Sequence, residues 1–426
     1  MTLTELYDEI ARCNRCGFCQ VACPIFRSTG HEAGVARGRV ALLRALIEKR
    51  IDWSNDLEEP LFACLLCGSC TANCFPKVAT ADLIIAARQE YLDTVGRSGA
   101  HRLLFTRLLP YPERLRLAAK TVALSQKSRL PKLARALGLL RIFGRDFPRS
   151  LDILDDFPLR AFRERFEPGI LPGYGHGLSI AYFVGCGQDI MVPDSAERSL
   201  DLLRGQAETV RILPNVCCGL PARAYGDLRA ARDLARQNLE ILFRYEFDVV
   251  VSDCSSCASC LKKYPELFEP GDPGHSMATY LAERTRDILQ LFPEAERLED
   301  LPDARRTATY HDPCHASRGQ GLVKEPRKLL KSLPGLEYRE LPEADWCCGG
   351  PGSYALGHYD LSRSVLERKI ANIEKTGAEV VYTSCPACLI QLRYGLKLFS
   401  LPVQAEHIAQ AIPAAASAAP AAQSLY

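Results

Sequence analysis

Two runs of four cysteines near the start of this 426-residue chain share one spacing, C-x2-C-x2-C-x3-C. They are "CNRCGFCQVAC" and "CLLCGSCTANC", which contain Cys13, Cys16, Cys19, Cys23, Cys64, Cys67, Cys70 and Cys74. Bacterial ferredoxins that bind two [4Fe-4S] clusters use this spacing, with a proline directly after the fourth cysteine. Pro24 follows that rule, whereas Phe75 moves the second proline to position 76.

In such runs three thiolates hold one cluster and the fourth belongs to the other. The spacing therefore predicts two cubane [4Fe-4S] clusters, one bound by Cys13, Cys16, Cys19 and Cys74 and the other by Cys64, Cys67, Cys70 and Cys23. A zinc site or a disulfide knot is the alternative, although zinc usually pairs two C-x2-C knuckles. Between the runs, Arg37 and Arg39 either stabilise a reduced cluster or cap and solvate the start of a helix.

Most of the remaining cysteines form an internal repeat. The first copy is Cys186, Cys217, Cys218, Cys254 and Cys257, and the second is Cys314, Cys347, Cys348, Cys385 and Cys388. The intervals are 31, 36 and 3 residues in the first copy and 33, 37 and 3 in the second, which indicates a duplication. A glycine follows each adjacent pair and predicts a sharp turn that lets both thiols face one site.

Five cysteines in each copy exceed the four thiolates that a cubane cluster needs. Either one cysteine is spare, or the cluster is not a regular cubane and one thiolate bridges, or the site binds zinc and leaves a free thiol. One or two further [4Fe-4S] clusters are therefore expected. Cys260 lies outside the pattern and is interpreted as a bystander. His311 and His315 flank Cys314, where each either donates a proton in catalysis or hydrogen-bonds a sulfur.

Short apolar segments and helical patterns must position these cysteines. Apolar runs such as "LSIAYFVGC" and "AEVVYTSC" lead into the cysteine groups of both copies, and long helical patterns fill the intervals. Alternating strands and helices predict a small parallel sheet in each copy, with the cysteines at the carboxyl ends of the strands. The predicted fold is α/β overall, with an α-helical two-cluster ferredoxin domain followed by two duplicated α/β domains.

The composition is that of a globular protein, with 47% hydrophobic and 24% charged residues and a net charge of +2. The segment from Arg97 to Arg149 is an exception, with 13 Lys and Arg residues against two acids. Three interpretations remain open for it: a helical linker packed on the later domains, a docking face for an acidic partner, or an amphipathic segment on anionic lipid. Nucleic acid is not an expected partner, because no recognition motif accompanies the charge.

The predicted domains follow from these patterns. They are a ferredoxin domain (1–95), a basic helical connector (96–175), two cysteine-rich domains (176–300 and 301–412) and a disordered tail (413–426). The first residues form neither a secretory signal nor a transit peptide, and no window is apolar enough to span a bilayer. A cytoplasmic location is expected, with any membrane contact peripheral on the cytoplasmic face of the inner membrane.

The order of these motifs resembles a known family. The paired-cysteine pattern is similar to the cysteine-rich "CCG" domain that occurs twice in the heterodisulfide reductase catalytic subunit. Tandem CCG domains behind a two-cluster helical ferredoxin resemble the iron–sulfur subunits of glycolate oxidase and D-lactate dehydrogenase, and "GHEAGVARGR" and "WCCGGPGSYAL" resemble segments of the glycolate oxidase subunit. Because Cys254 and Cys385 are both present, the resemblance implies that both copies are able to hold a non-cubane [4Fe-4S] cluster.

The chain shows no G-x-G-x-x-G after a strand and no G-x4-G-K-[ST], so it is not expected to bind flavin, nicotinamide or ATP itself. Oxidation of a hydroxyacid removes two electrons and is usually handled by an organic cofactor, which implies a partner subunit that binds FAD. The first hypothesis is an electron-transfer subunit of a D-lactate or glycolate dehydrogenase, passing electrons to quinone, electron-transfer flavoprotein or another carrier. The alternatives are a subunit that reduces a disulfide at a CCG-bound cluster and a binding protein with zinc in both CCG sites.

Overall fold

The computed structural model describes residues 3–128, 137–138, 146–154, 157–292, 306–350, 352 and 354–412. The tail predicted at 413–426 lies outside the described residues. The fold is mixed α/β with helices dominant. Its N-terminal helical part is named the ferredoxin domain, and its two sheet-bearing parts are named the first and second CCG domains, after the resemblance in their cysteine patterns. No helix in the described ranges is long and apolar enough to cross a membrane.

The regular elements described in the ferredoxin domain are helices. They are Tyr7–Ala11, Phe18–Ala22, Pro24–Thr29, Ala36–Ile47, Glu58–Phe62, Ser69–Ala72 and Thr80–Thr94, with 3-10 turns at Thr4–Leu6, Glu32–Gly34 and Asn55–Leu57. The helix predicted between the cysteine runs is present. Its residues Val40, Leu43 and Leu46 are buried because they recur on one face of the helix.

Between Gly99 and Arg165 the described elements of the connector are helical, and they pack on the first CCG domain. Its elements are Gly99–Leu103, a π-helix at Leu104–Leu108, Pro112–Lys127, Phe147–Ser150, a 3-10 turn at Leu151–Leu154, and Phe162–Arg165. Phe105 and Leu109 are buried in the core of that domain. Arg116 Nη1 donates to Asp189 Oδ2 at 3.3 Å. This packing agrees with the linker interpretation of the basic segment.

The first CCG domain is built on a five-stranded sheet. Its strands are β1 (Gly169–Pro172), β2 (Ser179–Tyr182), β3 (Thr209–Ile212), β4 (Val249–Ser252) and β5 (Thr285–Asp287), in the order β1-β3-β2-β4-β5. Strands β2 to β5 pair in parallel, but β1 pairs antiparallel with β3. The sheet is therefore mixed, and it begins inside the segment predicted as a helical connector. The four-residue strand β1 is too short to show a period in the sequence.

The second CCG domain repeats this arrangement without the extra edge strand. Its strands are β6 (Arg306–Tyr310), β7 (Leu336–Tyr338), β8 (Val380–Thr383) and β9 (Gln404–His407). The order β7-β6-β8-β9 is wholly parallel and corresponds to β3-β2-β4-β5 of the first copy. The duplication in the cysteine spacing is thus also a duplication of the sheet.

Helices cover both sheets. Those of the first CCG domain are Cys186–Ile190, Pro193–Gln206, Leu220–Tyr225, Leu228–Leu242, Ser255–Lys262 and Pro273–Arg284, with 3-10 turns at Tyr264–Leu267 and Ile288–Gln290. Those of the second are Cys314–Gln320, Lys324–Ser332, Tyr354–Gly357, Tyr359–Thr376 and Pro386–Leu398, with a 3-10 turn at Ile408–Ala411. The side chain of Asp227 caps one of them by accepting from Ala230 N at 3.1 Å.

The two CCG domains share one hydrophobic core. Ile180 and Val210 of the first sheet belong to the same buried cluster as Ala308, Val380 and Ile408 of the second domain. Across the same boundary, Ser255 N donates to Ser384 O at 3.0 Å. The two copies therefore form a single packed body.

The ferredoxin domain rests on both CCG domains. Against the second, Ile25 and Val35 pack with Trp346 and Val365 in an apolar seam. Against the first, Arg88 Nη1 donates to Ala224 O at 2.5 Å. These contacts fix the distance between the ferredoxin cysteines and those of the CCG domains.

Candidate metal centres

Four cysteines assigned to the second ferredoxin cluster line one enclosed cavity: Cys23, Cys64, Cys67 and Cys70. Cys23 belongs to the first cysteine run and the other three to the second, so the fold brings the two runs together. Arg39 also lines this cavity, and its Nε donates to Pro60 O at 2.6 Å. Burial raises the pKa of Cys23, and the nearby guanidinium of Arg39 offsets part of this shift.

The cysteines assigned to the first ferredoxin cluster lie closer to the surface. Cys16 is exposed, whereas Cys13 and Cys74 pack against the core of the domain. The start of one run meets the end of the other, since Ala79 N donates to Glu9 Oε1 at 2.6 Å. Burial raises the pKa of Cys19, and the charge of the nearby Cys13 raises it further.

In the first CCG domain the five repeat cysteines form a connected set of thiols. Cys186 Sγ lies 3.8 Å from Cys217 Sγ. Cys217 and Cys218, Cys218 and Cys257, and Cys257 and Cys254 are close enough for one thiol of each pair to shift the pKa of the other. The set lies beyond the carboxyl ends of three neighbouring parallel strands, β2, β3 and β4, as the sequence predicted.

The second CCG domain gathers its five cysteines in the same way. Cys348 Sγ lies 3.5 Å from Cys388 Sγ, and the neighbouring thiols of Cys348 and Cys385 shift the pKa of Cys347 and Cys388, respectively. Burial raises the pKa of Cys314, and the charges of the nearby Cys348 and Cys385 raise it further. Each set thus offers sulfur donors around one centre, which suits an iron–sulfur cluster.

A glycine after each adjacent pair makes the turn that both sets need. Gly219 has φ +86° and Gly349 has φ +83°, a left-handed conformation that other residues rarely adopt. At Gly349 there is no space for a side chain either, because a Cβ would lie 2.6 Å from Ser362 O. The turn therefore requires glycine for two independent reasons.

Burial makes several of these thiols poor anions in the absence of a cation. It raises the pKa of Cys67, Cys70 and Cys314 to about 12 each. Buried thiols of this kind ionise when a metal compensates the charge, and bound metal in turn displaces their protons. The donor types, their burial and their grouping fit [4Fe-4S] clusters at these sites.

The two CCG sets also meet each other, which the sequence did not indicate. The thiols of Cys254 and Cys385 lie close enough across the domain boundary for each to shift the pKa of the other. Ser256 Oγ lies 3.2 Å from Cys385 Sγ beside this contact. The two sets are therefore one continuous sulfur-rich region.

The two candidate histidines occupy different positions in the second site. His311 is buried, and one of its ring nitrogens lies within 4.8 Å of the thiols of Cys348 and Cys388. His315 Nδ1 lies 3.5 Å from Cys314 Sγ and 3.3 Å from Ser256 Oγ. Both histidines thus face sulfur.

The two copies differ in the residues around their cysteines. Phe183 occupies the place of His311, since each stands three residues before the first cysteine of its copy. Asn238 corresponds to Lys369, each 16 residues before the C-x2-C pair. Lys369 is buried, its Nζ donates to Glu343 O at 2.6 Å, and burial lowers its pKa to about 8. The second site therefore has cationic and protonatable neighbours where the first has an aromatic ring and an amide.

Cys260 remains close to the first set without extending the repeat. It is buried, and its Sγ donates to Cys218 O at 3.2 Å. The corresponding residue in the second copy is Gln391, three residues after the last cysteine. This position explains its burial and leaves the five-cysteine pattern unchanged.

Comparison with known families accounts for most of the chain. Residues 9–78 match the 4Fe-4S dicluster domain, residues 180–262 and 308–393 match the cysteine-rich domain, and residues 96–149 match the linker region of the glycolate oxidase iron-sulfur subunit. The basic segment therefore corresponds to a linker in its sequence family as well as in its packing.

Three relatives show how far the similarity extends. A probable glycolate oxidase iron-sulfur subunit from Bacillus subtilis is 29% identical over 419 residues, which cover 96% of this chain and 94% of that protein. Lactate utilization protein A from a Geobacillus strain is 30% identical over 237 residues, 55% of this chain and 99% of that protein. One component of a fumarate reductase (CoM/CoB) from Methanothermobacter marburgensis is 32% identical over 226 residues, 53% of this chain and 44% of that protein.

Proposed function

The chain belongs to the family of glycolate oxidase-type iron–sulfur subunits, and on that premise we propose that it is the electron-transfer subunit of a flavin-linked D-2-hydroxyacid dehydrogenase. A partner subunit with FAD would take two electrons from D-lactate or glycolate. This chain would pass them on singly toward quinone, electron-transfer flavoprotein or another carrier. The division into domains at 1–95, 96–175, 176–300 and 301–412 is part of the same proposal.

The observation that carries the proposal is the continuity of the buried cysteine sets. The cavity of Cys23, Cys64, Cys67 and Cys70 adjoins the second CCG set, and Cys385 of that set touches Cys254 of the first. [4Fe-4S] clusters held by these thiolates supply one-electron redox chemistry when bound. The chain itself holds the sulfurs in place and excludes water from them.

Native purification tests this function. The protein, isolated without oxygen from its source, is expected to carry iron and to co-purify with a subunit that contains FAD. Adding D-lactate or glycolate to that complex should produce the electron paramagnetic resonance (EPR) signals of reduced clusters. Preparations with full iron content that never contain a flavoprotein would contradict the proposal.

Disulfide reduction at the second CCG site is a second candidate function, favoured by the position of His311. A ring nitrogen within 4.8 Å of the thiols of Cys348 and Cys388 is able to deliver a proton to a leaving thiolate. Dye-reduced protein should then consume small-molecule disulfides, and His311→Phe, which copies the first site, should slow turnover at least tenfold. Absence of turnover in the iron-loaded wild type would exclude this candidate.

Metal analysis separates both candidates from the zinc alternative. We expect iron and acid-labile sulfide in excess of what the ferredoxin sets alone account for. If Cys314→Ser lowers the zinc content and leaves the iron content unchanged, the second CCG site binds zinc instead.

A further inference from the structure

The ferredoxin domain meets the second CCG domain at cysteines of both. Cys67 packs against the apolar seam that contains Cys347. Beside this seam, Tyr354 Oη of the second CCG domain donates to Ala63 O at 2.9 Å, next to Cys64. These contacts place the second ferredoxin set next to the second CCG set.

One side chain links the two sets directly. Arg318 lies one turn after Cys314 in the helix Cys314–Gln320, and its Nη1 donates to Cys67 O at 3.2 Å. Its Nη2 donates to Asp345 O at 2.8 Å and to Asp345 Oδ2 at 2.6 Å, two residues before Cys347. The side chain is 13% exposed, so little water screens its charge.

The turn of the ferredoxin run approaches this side chain closely. Gly68 has φ +72°, and a Cβ placed there would lie 3.7 Å from Arg318 Cδ, an ordinary van der Waals distance. The Arg318 side chain therefore lies along the turn that carries Cys67.

The other copy of the repeat lacks this arginine. Ile190 stands four residues after Cys186, as Arg318 stands four residues after Cys314. The arginine is thus present in the copy that contacts the ferredoxin cysteines and replaced by an apolar residue in the other. That difference would not be needed if Arg318 served only the CCG fold.

From these contacts we propose that electrons pass between the ferredoxin and CCG domains across the junction that Arg318 bridges, between the centres held by Cys67 and Cys314, and that Arg318 is the positioning residue for this transfer. One electron leaves one cysteine-bound centre and arrives at the other, so one is oxidised as the other is reduced, and no bond forms or breaks. The guanidinium stays protonated throughout. Its positive charge offsets the negative charge that the electron adds on either side.

The proposal rests on the proposed function only in requiring iron at both sites, so its test uses neither partner nor hydroxyacid. Full-length protein is loaded with iron and sulfide without oxygen and titrated with dithionite while its EPR spectrum is recorded. In Arg318→Gln, we expect lower reduction potentials for the two centres beside Arg318 and loss of the magnetic interaction between them. The outer ferredoxin centre should keep its potential.

Two further variants make the result specific. Arg165→Gln is the matched control, because Arg165 also pairs with carboxylates, Asp194 at 2.6 Å and Glu197 at 3.2 Å, but contacts no described cysteine. Asp345→Asn removes the carboxylate that partly neutralises Arg318, so the same two potentials should rise. Asp345 is 58% exposed, and this substitution is expected to leave folding and iron uptake unchanged.

The outcomes decide between the alternatives. Iron-loaded Arg318→Gln with the potentials and magnetic interaction of the wild type would overturn the proposal. If that variant does not take up iron, Asp345→Asn decides, and an unchanged or lowered potential overturns it. A flavoprotein that never co-purifies would refute the proposed function but not this inference, since the titration needs the chain alone.

Discussion

At the scale of single residues, His407 joins the two CCG domains through an uncharged ring. It is fully buried, its Nε2 lies 2.8 Å from Asp253 O, and Ala409 N donates to its Nδ1 at 3.3 Å. Because Nδ1 accepts, Nε2 carries the proton and donates. A second proton would face the N–H of Ala409, so the fold favours the neutral ring.

This contact predicts a pH dependence of stability. Burial lowers the pKa of His407 from 6.5 to about 4, so the unfolded chain binds a proton there between these values and the folded chain does not. The free energy of unfolding should therefore fall as the pH drops from 6.5 toward 4, by up to about 3 kcal/mol from this group. Urea unfolding of wild type and His407→Gln without oxygen should show this slope in the wild type only. Parallel pH profiles would contradict it.

A second prediction at this scale concerns the turn at Gly349. Alanine there meets both a left-handed backbone, which costs roughly 1–2 kcal/mol, and the carbonyl of Ser362. Gly349→Ala should therefore lose iron from the second CCG site. Gly321→Ala is the control, because Gly321 has φ +74° but open space around its Cβ position. If the two variants lose the same amount of iron, backbone strain alone explains the loss. If Gly349→Ala keeps its iron, the expectation is contradicted.

At the scale of elements, the connector is held by its apolar side chains as well as by its charges. Phe105 is 2% exposed in the core of the first CCG domain, whereas Leu117 on the following helix is 65% exposed. Phe105→Ala should lower the free energy of unfolding by about 3–5 kcal/mol, and Leu117→Ala by no more than about 0.5 kcal/mol. Denaturant titration measures both. Similar values would mean that the connector does not stabilise the domain.

Most of the strands and helices that position the cysteines could be predicted from the sequence. The strands β2, β4, β6 and β8 and the long helices between them were predicted, because their apolar periods are local properties of the chain. The paired-cysteine intervals likewise predicted which cysteines gather in each copy. Strand β1 was missed because only two apolar residues, Ile170 and Leu171, stand between its glycine and its proline.

The contacts between domains were outside the reach of sequence reasoning. Cys254 touches Cys385, and Cys67 lies beside Cys314, because of how separate folded surfaces dock. No spacing along the chain encodes that docking. Nothing in the sequence distinguishes Arg318 from the other lysines and arginines, 53 in all, because its role depends on a contact with Cys67 of a different domain. The sequence therefore predicted which cysteines gather within one copy, but not which cysteines of different domains lie together.

At the scale of the whole molecule, the shared core predicts that the CCG domains depend on each other. Residues 306–412 expressed alone would expose Ala308, Tyr310 and Val380, which are buried against the first sheet. We expect this fragment to aggregate alone and to form a stable complex when co-expressed with residues 1–292. Size-exclusion chromatography measures both states. A monomeric, folded fragment would show that the shared core is dispensable.

The position of Cys254 next to Cys385 also determines the order in which the protein assembles. These thiols are buried where the two halves of the duplication close on each other, at 6% and 2% exposure. Iron and sulfide must reach them before that closure, so we expect maturation to precede the final docking of the domains. Limited proteolysis should then cut an iron-free chain between its two repeats and leave the loaded chain intact. The duplication thus fixes an order of assembly as well as a geometry.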